Sequence, residues 1–183
     1  MSVIPKARAN GEDVGVNLDD AIIVALGGNL PGAWSSIADV LEAAIARLDG
    51  VGLKLVARSS LWGSTAWPDP SQPDYLNAVA LVETELPPLA VLAALQGLEQ
   101  AFGRVRTAAN AARVLDLDLI AYGRLVAEDA GEGLTLPHPR AADRGFVMGP
   151  LAEIAPEWRH PVNGATALEL VGKVAVGVDA APV

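Results

Sequence analysis

Two carboxylates stand two residues apart in the run Arg113-Val114-Leu115-Asp116-Leu117-Asp118. On an extended strand, residues i and i+2 share one face. Leu115, Leu117 and Leu119 then face a core, and Asp116 and Asp118 share the opposite face. Two acids at neighbouring pleats can hold or bridge hard cations, and oxygen ligands without cysteine suit Mg²⁺. Three guanidiniums lie nearby in sequence. Arg104 and Arg106 form a second i, i+2 pair, and Arg113 sits three residues before Asp116. One reading is mutual neutralisation by surface ion pairs, each worth little. The other is a cradle for metal-bound phosphates, in which fork-shaped guanidiniums match phosphate oxygens. Phosphoryl transfer needs this mixture of acids and arginines.

Further groups fit around that device. Leu136-Pro137-His138-Pro139-Arg140 places one of two histidines between prolines, near Arg140 and Arg144, where a phosphate contact is credible. Gly27-Gly28-Asn29-Leu30-Pro31-Gly32 lacks the Gly-Lys-Ser/Thr ending of a P-loop and the Gly-x-Gly-x-x-Gly of a dinucleotide fold; it reads as a tight turn bordering a site. Aromatics make up only 4% of the chain, yet Trp62, Trp67 and Tyr75 concentrate beside Asn77 on a proline-rich stretch. Such a set suits a flat heteroaromatic ligand, stacked on faces and read by an amide.

The elements that must position these groups follow from periodicity. Ala21 to Leu26 is an apolar run ending in Gly27-Gly28, a buried strand and turn. Trp34 to Leu48 has helical spacing and Gly50 stops it. Leu53 to Leu61 alternates as a strand, Gly63 to Asp74 is a proline-broken loop, and Tyr75 to Leu86 alternates again. Pro87-Pro88 opens a helix from Leu89 to Phe102. Val114 to Tyr122 is a fourth strand, Leu134 to Pro139 a short extended piece, and Arg144 to Ile154 a final helix strained by Pro150. The order β-α-β-β-α-β predicts an α+β sandwich, with helices on one face of a mainly antiparallel sheet.

The 183 residues suit one domain, expected over 21–172, with 1–20 as a flexible extension and 173–183 as a tail. A net charge of −9 argues against broad nucleic-acid binding. No apolar run of 18 residues marks a membrane span. The absence of cysteine excludes disulfides and thiolate metal sites and fits a reducing, cytoplasmic setting. A monomer or weak dimer without membrane or nucleic-acid partners is expected.

Taken together and in order, these segments resemble the 6-hydroxymethyl-7,8-dihydropterin pyrophosphokinases of folate biosynthesis. The resemblance rests on Ala25-Leu26-Gly27-Gly28-Asn29-Leu30, Ser59-Ser60-Leu61, Gln72-Pro73-Asp74-Tyr75-Leu76-Asn77-Ala78, Gly103-Arg104-Val105-Arg106 and Arg113 to Asp118. Leu136-Pro137-His138-Pro139, Arg144-Gly145-Phe146 and Pro150 to Pro156 complete it. It implies a ferredoxin-like fold and transfer of pyrophosphate from ATP to the dihydropterin, with AMP as the other product. By resemblance, Asp116 and Asp118 match acids that bind two Mg²⁺ ions, and Arg104 and Arg113 match catalytic arginines on the triphosphate. Gln96, His138 and Arg144 match other ATP-side residues. Ser64, Thr65, Trp67, Tyr75, Asn77 and Phe146 match the pterin side. Where the family has an Arg-Trp-Gly-Pro-Arg run before the Asp strand, this chain has Ala109-Asn110-Ala111-Ala112-Arg113, in a stretch one residue shorter and without the tryptophan. That run normally closes over the site, so a catalytically weak pterin-binding module is the alternative. Trp62 and Trp67, where tyrosine and leucine are common, are candidates to compensate.

Overall fold

The computed structural model describes residues 7–9, 12–14, 17–104, 111–129, 131 and 133–183. Arg106 and the Ala109-Asn110 portion of the expected closing loop lie outside these residues. Ala7–Ala9 (β1) and Glu12–Val14 (β2) pair as an antiparallel hairpin within the stretch expected to be flexible. The main sheet contains Ile22–Gly28 (β3), Lys54–Arg58 (β4), Trp62–Ser64 (β5), Tyr75–Glu83 (β6), Asp116–Tyr122 (β7) and Ala181–Pro182 (β8). Its order is β7-β3-β6-β5-β8, with β4 pairing the far half of β6, and every pairing is antiparallel. The helices are Ile37–Ile45 (α1), Pro88–Ala101 (α2), Gly145–Ile154 (α3) and Ala167–Val171 (α4).

The α+β architecture with a mainly antiparallel sheet is as expected, but helices cover both faces and not one. On one face Val24, Leu26, Ala80, Leu117 and Leu119 pack with Leu41 of α1 and Leu95 of α2. On the other, Ile23, Ala25, Val79 and Leu81 pack with Met148 and Leu151 of α3 and Leu170 of α4. The reason lies in β3, where Ile22 to Leu26 are all buried. A strand apolar on both faces needs cover on both. Each such leucine, fully removed from water, contributes about 1.5–3 kcal/mol.

Local chemistry trims the expected elements. α1 begins at Ile37 and not Trp34, because the Ser36 side chain accepts from Asp39 N–H and caps it. Trp34 instead stacks on Phe102 at 5.5 Å. The expected strand from Leu53 to Leu61 breaks after Arg58. Ser59 turns inward, its hydroxyl accepting from Val79 N–H, and the sheet resumes as β5, so the predicted loop starts at Thr65 and not Gly63.

Glu153 of α3 holds this break. It accepts from Ser60 N–H and hydroxyl, both at 2.8 Å, and from Trp62 Nε1 at 2.7 Å. Trp62 lies flat on Gly149, where an added Cβ would fall 2.4 Å from the ring. Burial pushes the Glu153 carboxyl up, but these donors and Arg58 outweigh it and hold it below the ordinary glutamate range. A carboxyl lowered by folding stabilises above its unfolded value of about 4.3 and loses that contribution as pH falls through the folded value. Glu153→Gln is therefore expected to lower Tm at pH 7, with the gap to the parent narrowing below about pH 4.5. Melting curves from pH 7 to 3 that keep a constant gap would contradict this.

Candidate active site

The register of three strands builds the floor. Gly27 of β3 lies between Asp116 of β7 and Asn77 of β6, and Ala25 lies between Asp118 and Val79. Partners in one row share a face, so both carboxylates and the Asn77 amide point to the same side, with Gly27 adding no side chain between them. A Cβ at Gly27 would sit 3.0 Å from Asn77 Oδ1. On the far side of β6, Ser64 pairs with Tyr75, and Asn77 Nδ2 donates to Ser64 Oγ at 3.0 Å.

The turn Gly28-Asn29 fixes the approach to β7. Asn29 and Leu30 N–H donate to Arg113 O at 3.0 and 3.2 Å, and Arg113 N–H returns a bond to Asn29 Oδ1 at 2.8 Å. A Cβ on Gly28 would lie 2.3 Å from Val114 O, so this close approach requires glycine. Arg113 is thereby aimed at Asp116 Oδ2, 3.0 Å away. Arg104 meets Asp116 Oδ1 at 2.7 Å and also pairs with Glu99. Arg144 reaches Asp118 Oδ2 at 3.9 Å while its guanidinium lies 5.5 Å over the Phe146 ring.

These groups line a cavity of about 300 Å³, a volume typical of small-molecule sites. Its wall includes Arg104, Arg113, Asp116, Asp118, His138 and Arg144. Ser64, Thr65, Trp67, Tyr75, Asn77 and Phe146 complete it. Burial and the neighbouring Asp116 charge push the Asp118 carboxyl up. Two acids held this close in a half-buried recess favour a cation. Burial pushes the His138 imidazole down, against the pull of Asp118, so it is neutral near pH 7. Its Nδ1 accepts from Arg140 N–H at 3.3 Å, which places the remaining proton on Nε2 as a donor.

A family model described as 7,8-dihydro-6-hydroxymethylpterin-pyrophosphokinase (HPPK) matches residues 23–156. The chain belongs to this family. A 2-amino-4-hydroxy-6-hydroxymethyldihydropteridine pyrophosphokinase of Synechocystis is 42% identical over 152 residues, covering 83% of this chain and 75% of the relative. A protein of the same name from Haemophilus influenzae is 41% identical over 152 residues, covering 83% and 91%. Among solved structures, an HPPK-DHPS chain of Plasmodium falciparum superposes with a TM-score of 0.65 at 14% identity. It is matched over 84% of this chain but only 44% of its own length, a likeness of fold.

Within this pyrophosphokinase fold, some residues singled out from the sequence stand elsewhere. Gln96 is half-buried on α2 and is not part of the cavity wall. Trp62 does not line it either, because its ring is committed to Gly149 and its N–H to Glu153; Trp67, 55% exposed, does line it. Of the two tryptophans expected to compensate for the altered loop, only Trp67 is in place to touch a ligand.

Three more groups join the site; the sequence places Arg140 and Asn29 near it without a role and gives Glu99 none. Arg140 lines the wall beside His138. Asn29 aims Arg113. Glu99, only 3% exposed, accepts Leu117 N–H at 2.7 Å and pairs with Arg104. Its signal was an acid interrupting the apolar stripe of Val91, Leu95 and Leu98.

Proposed function

We propose that this chain transfers pyrophosphate from ATP to 6-hydroxymethyl-7,8-dihydropterin in folate biosynthesis, giving the pterin diphosphate and AMP. One observation carries the residue-level reading. A pair of carboxylates ringed by Arg104, Arg113 and Arg144 shares one cavity with a recess edged by Tyr75, Asn77 and Phe146.

The hydroxymethyl oxygen attacks the β-phosphorus of ATP. The bond from that phosphorus to the α–β bridging oxygen breaks, AMP departs with the oxygen, and the hydroxyl proton is released. Arg104 and Arg113 neutralise charge on the transferring group, and Arg144 and the His138 Nε2–H add donors for phosphate oxygens. Asn77 reads the pterin edge, and Tyr75 and Phe146 present ring surfaces to it. Its amide is already oriented by Ser64.

Asp116 and Asp118 fit Mg²⁺. Among the described residues no group of three or more ligand side chains forms, and two carboxylates suit an ion that keeps waters and takes phosphate oxygens. Bound there, the ions would supply electrostatic stabilisation of the phosphates. No described helix is long and apolar enough to cross a membrane, and a cytoplasmic location is part of the proposal.

The test is product analysis. With both substrates and millimolar Mg²⁺ the protein should form AMP and pterin diphosphate in equal amounts. Chelation by EDTA should stop the reaction and added Mg²⁺ restore it. ADP as the nucleotide product, or tight pterin binding without AMP formation, would overturn the reading.

A further inference from the structure

The last residues close a circuit that the catalytic account leaves unused. β5 has three residues and β6 on one edge only; its other edge is filled by β8, with Trp62 opposite Pro182 and Gly63 opposite Ala181. Val183 N–H extends this to Leu61 O at 3.0 Å. Just past β5, Thr65 N–H donates to Asp179 Oδ2 at 2.7 Å.

The same segment ties the start of α3. Ala175 and Val176 N–H both donate to Asp143 O, and Gly145 N–H, one of the unpaired donors of that helix start, donates to Val176 O at 2.7 Å. Gly145 and Gly177 make the crossing possible, since a Cβ on Gly145 would lie 2.1 Å from Gly177 O. Gly177 has φ +62°, and a Cβ there would meet the Phe146 ring at 2.5 Å. The Phe146 ring therefore rests on bare backbone of this segment.

We infer that residues 175–179 act as a strap that sets the width of the pterin recess, with Asp179 and Gly177 as positioning residues. The strap joins two walls at their site end, whereas Glu153 and Trp62 tie the same two elements further along α3. One carries Ser64 and Thr65, and the other carries Arg144 and Phe146. A flat ring held between such walls is sensitive to their separation, and a misplacement of about 1 Å is enough to cost binding or rate. The carboxylates and Arg104 and Arg113 lie on β7 and beside it, away from the strap. Of the nucleotide-side groups named above only Arg144 sits on a strap-tied wall, so the strap should tune pterin binding more than nucleotide binding. This inference rests on the pterin reading of the recess.

Calorimetric titration of the full chain with dihydropterin and with MgATP tests it, alongside melting curves. Asp179→Ala is expected to weaken pterin about tenfold and leave MgATP within about twofold. Asp179→Asn, whose amide oxygen still accepts from Thr65 N–H, should stay within about threefold of the parent. Gly177→Ala should weaken pterin at least as much as Asp179→Ala, by forcing Phe146 to move. Unchanged pterin affinity in Asp179→Ala and Gly177→Ala overturns the strap, as does equal weakening of both ligands in step with a lowered Tm. A parent chain that binds MgATP but no dihydropterin overturns the pterin reading itself, and the strap with it.

Discussion

Asp118→Asn is expected to reduce AMP formation by about 10³-fold or more while leaving the protein as stable as the parent, or more so. The two effects have one origin. Burial and the adjacent Asp116 charge raise the Asp118 carboxyl, so its ionised form opposes folding. An acid raised by folding destabilises increasingly as pH climbs from its ordinary range through its raised folded value. An amide removes it together with the charge that would hold Mg²⁺. Asp116→Asn should lose rate similarly but not gain stability, because Asp116 accepts from Arg104 and Arg113 at 2.7 and 3.0 Å. KM for the pterin should change little in either variant, since Asn77 and Tyr75 stay in place. Steady-state AMP release and thermal melting read both sides. A rate for Asp118→Asn within tenfold of the parent would remove it from the machinery.

Glu99→Ala is expected to lower unfolding stability by about 2–3 kcal/mol. Two groups lose their partner at once. Leu117 N–H, buried on the outer edge of β7, is left without its 2.7 Å acceptor, and Arg104 keeps Asp116. The Arg104 side chain retains 21% of its exposure, so water limits the loss to below that of a fully buried pair. For a chain of this length the melting point should drop by roughly 4–12 °C. Arg104 without Glu99 is also less fixed, and MgATP affinity should fall about tenfold. Glu99→Gln separates the two roles. Its amide oxygen can accept from Leu117 N–H, so most stability should return while nucleotide affinity does not. Urea denaturation with nucleotide titration decides. Equal stability of Glu99→Ala and the parent would show that the buried acid is not needed at the start of β7.

How much of this was legible beforehand depended on the range of the interaction. The parity of Asp116 and Asp118 followed from strand geometry, because alternation is a local rule. The cap at Ser36 and the entry of α2 at Pro88 are similarly local in kind, although apolar spacing alone extends α1 back to Trp34. Proximity in sequence groups Trp62 with Trp67 and Tyr75, but only the latter two line the cavity. A loop one residue longer or shorter re-aims a ring, and only packing against Gly149 decided that Trp62 belongs to the scaffold.

The sequence by itself determined the chemistry available: two acids on one strand face, arginines close by, an amide and aromatics, and an ordered set of motifs pointing to one family. Tertiary structure decided how those groups meet. The row Asp116–Gly27–Asn77 exists only because β7 and β6 pair with β3 in that register. Arg144 faces Asp118 because α3 packs on the second face of the sheet, a face the strand pattern alone left uncovered. Glu99 reaches Leu117 N–H and Arg104 because α2 packs that turn against the start of β7. The final residues, which carried no local signal, became a wall because the short β5 needed a partner on its open edge. Local rules set which way a side chain points along its own element. Which other side chain it meets is settled only when elements distant in sequence share a sheet row or a packed face.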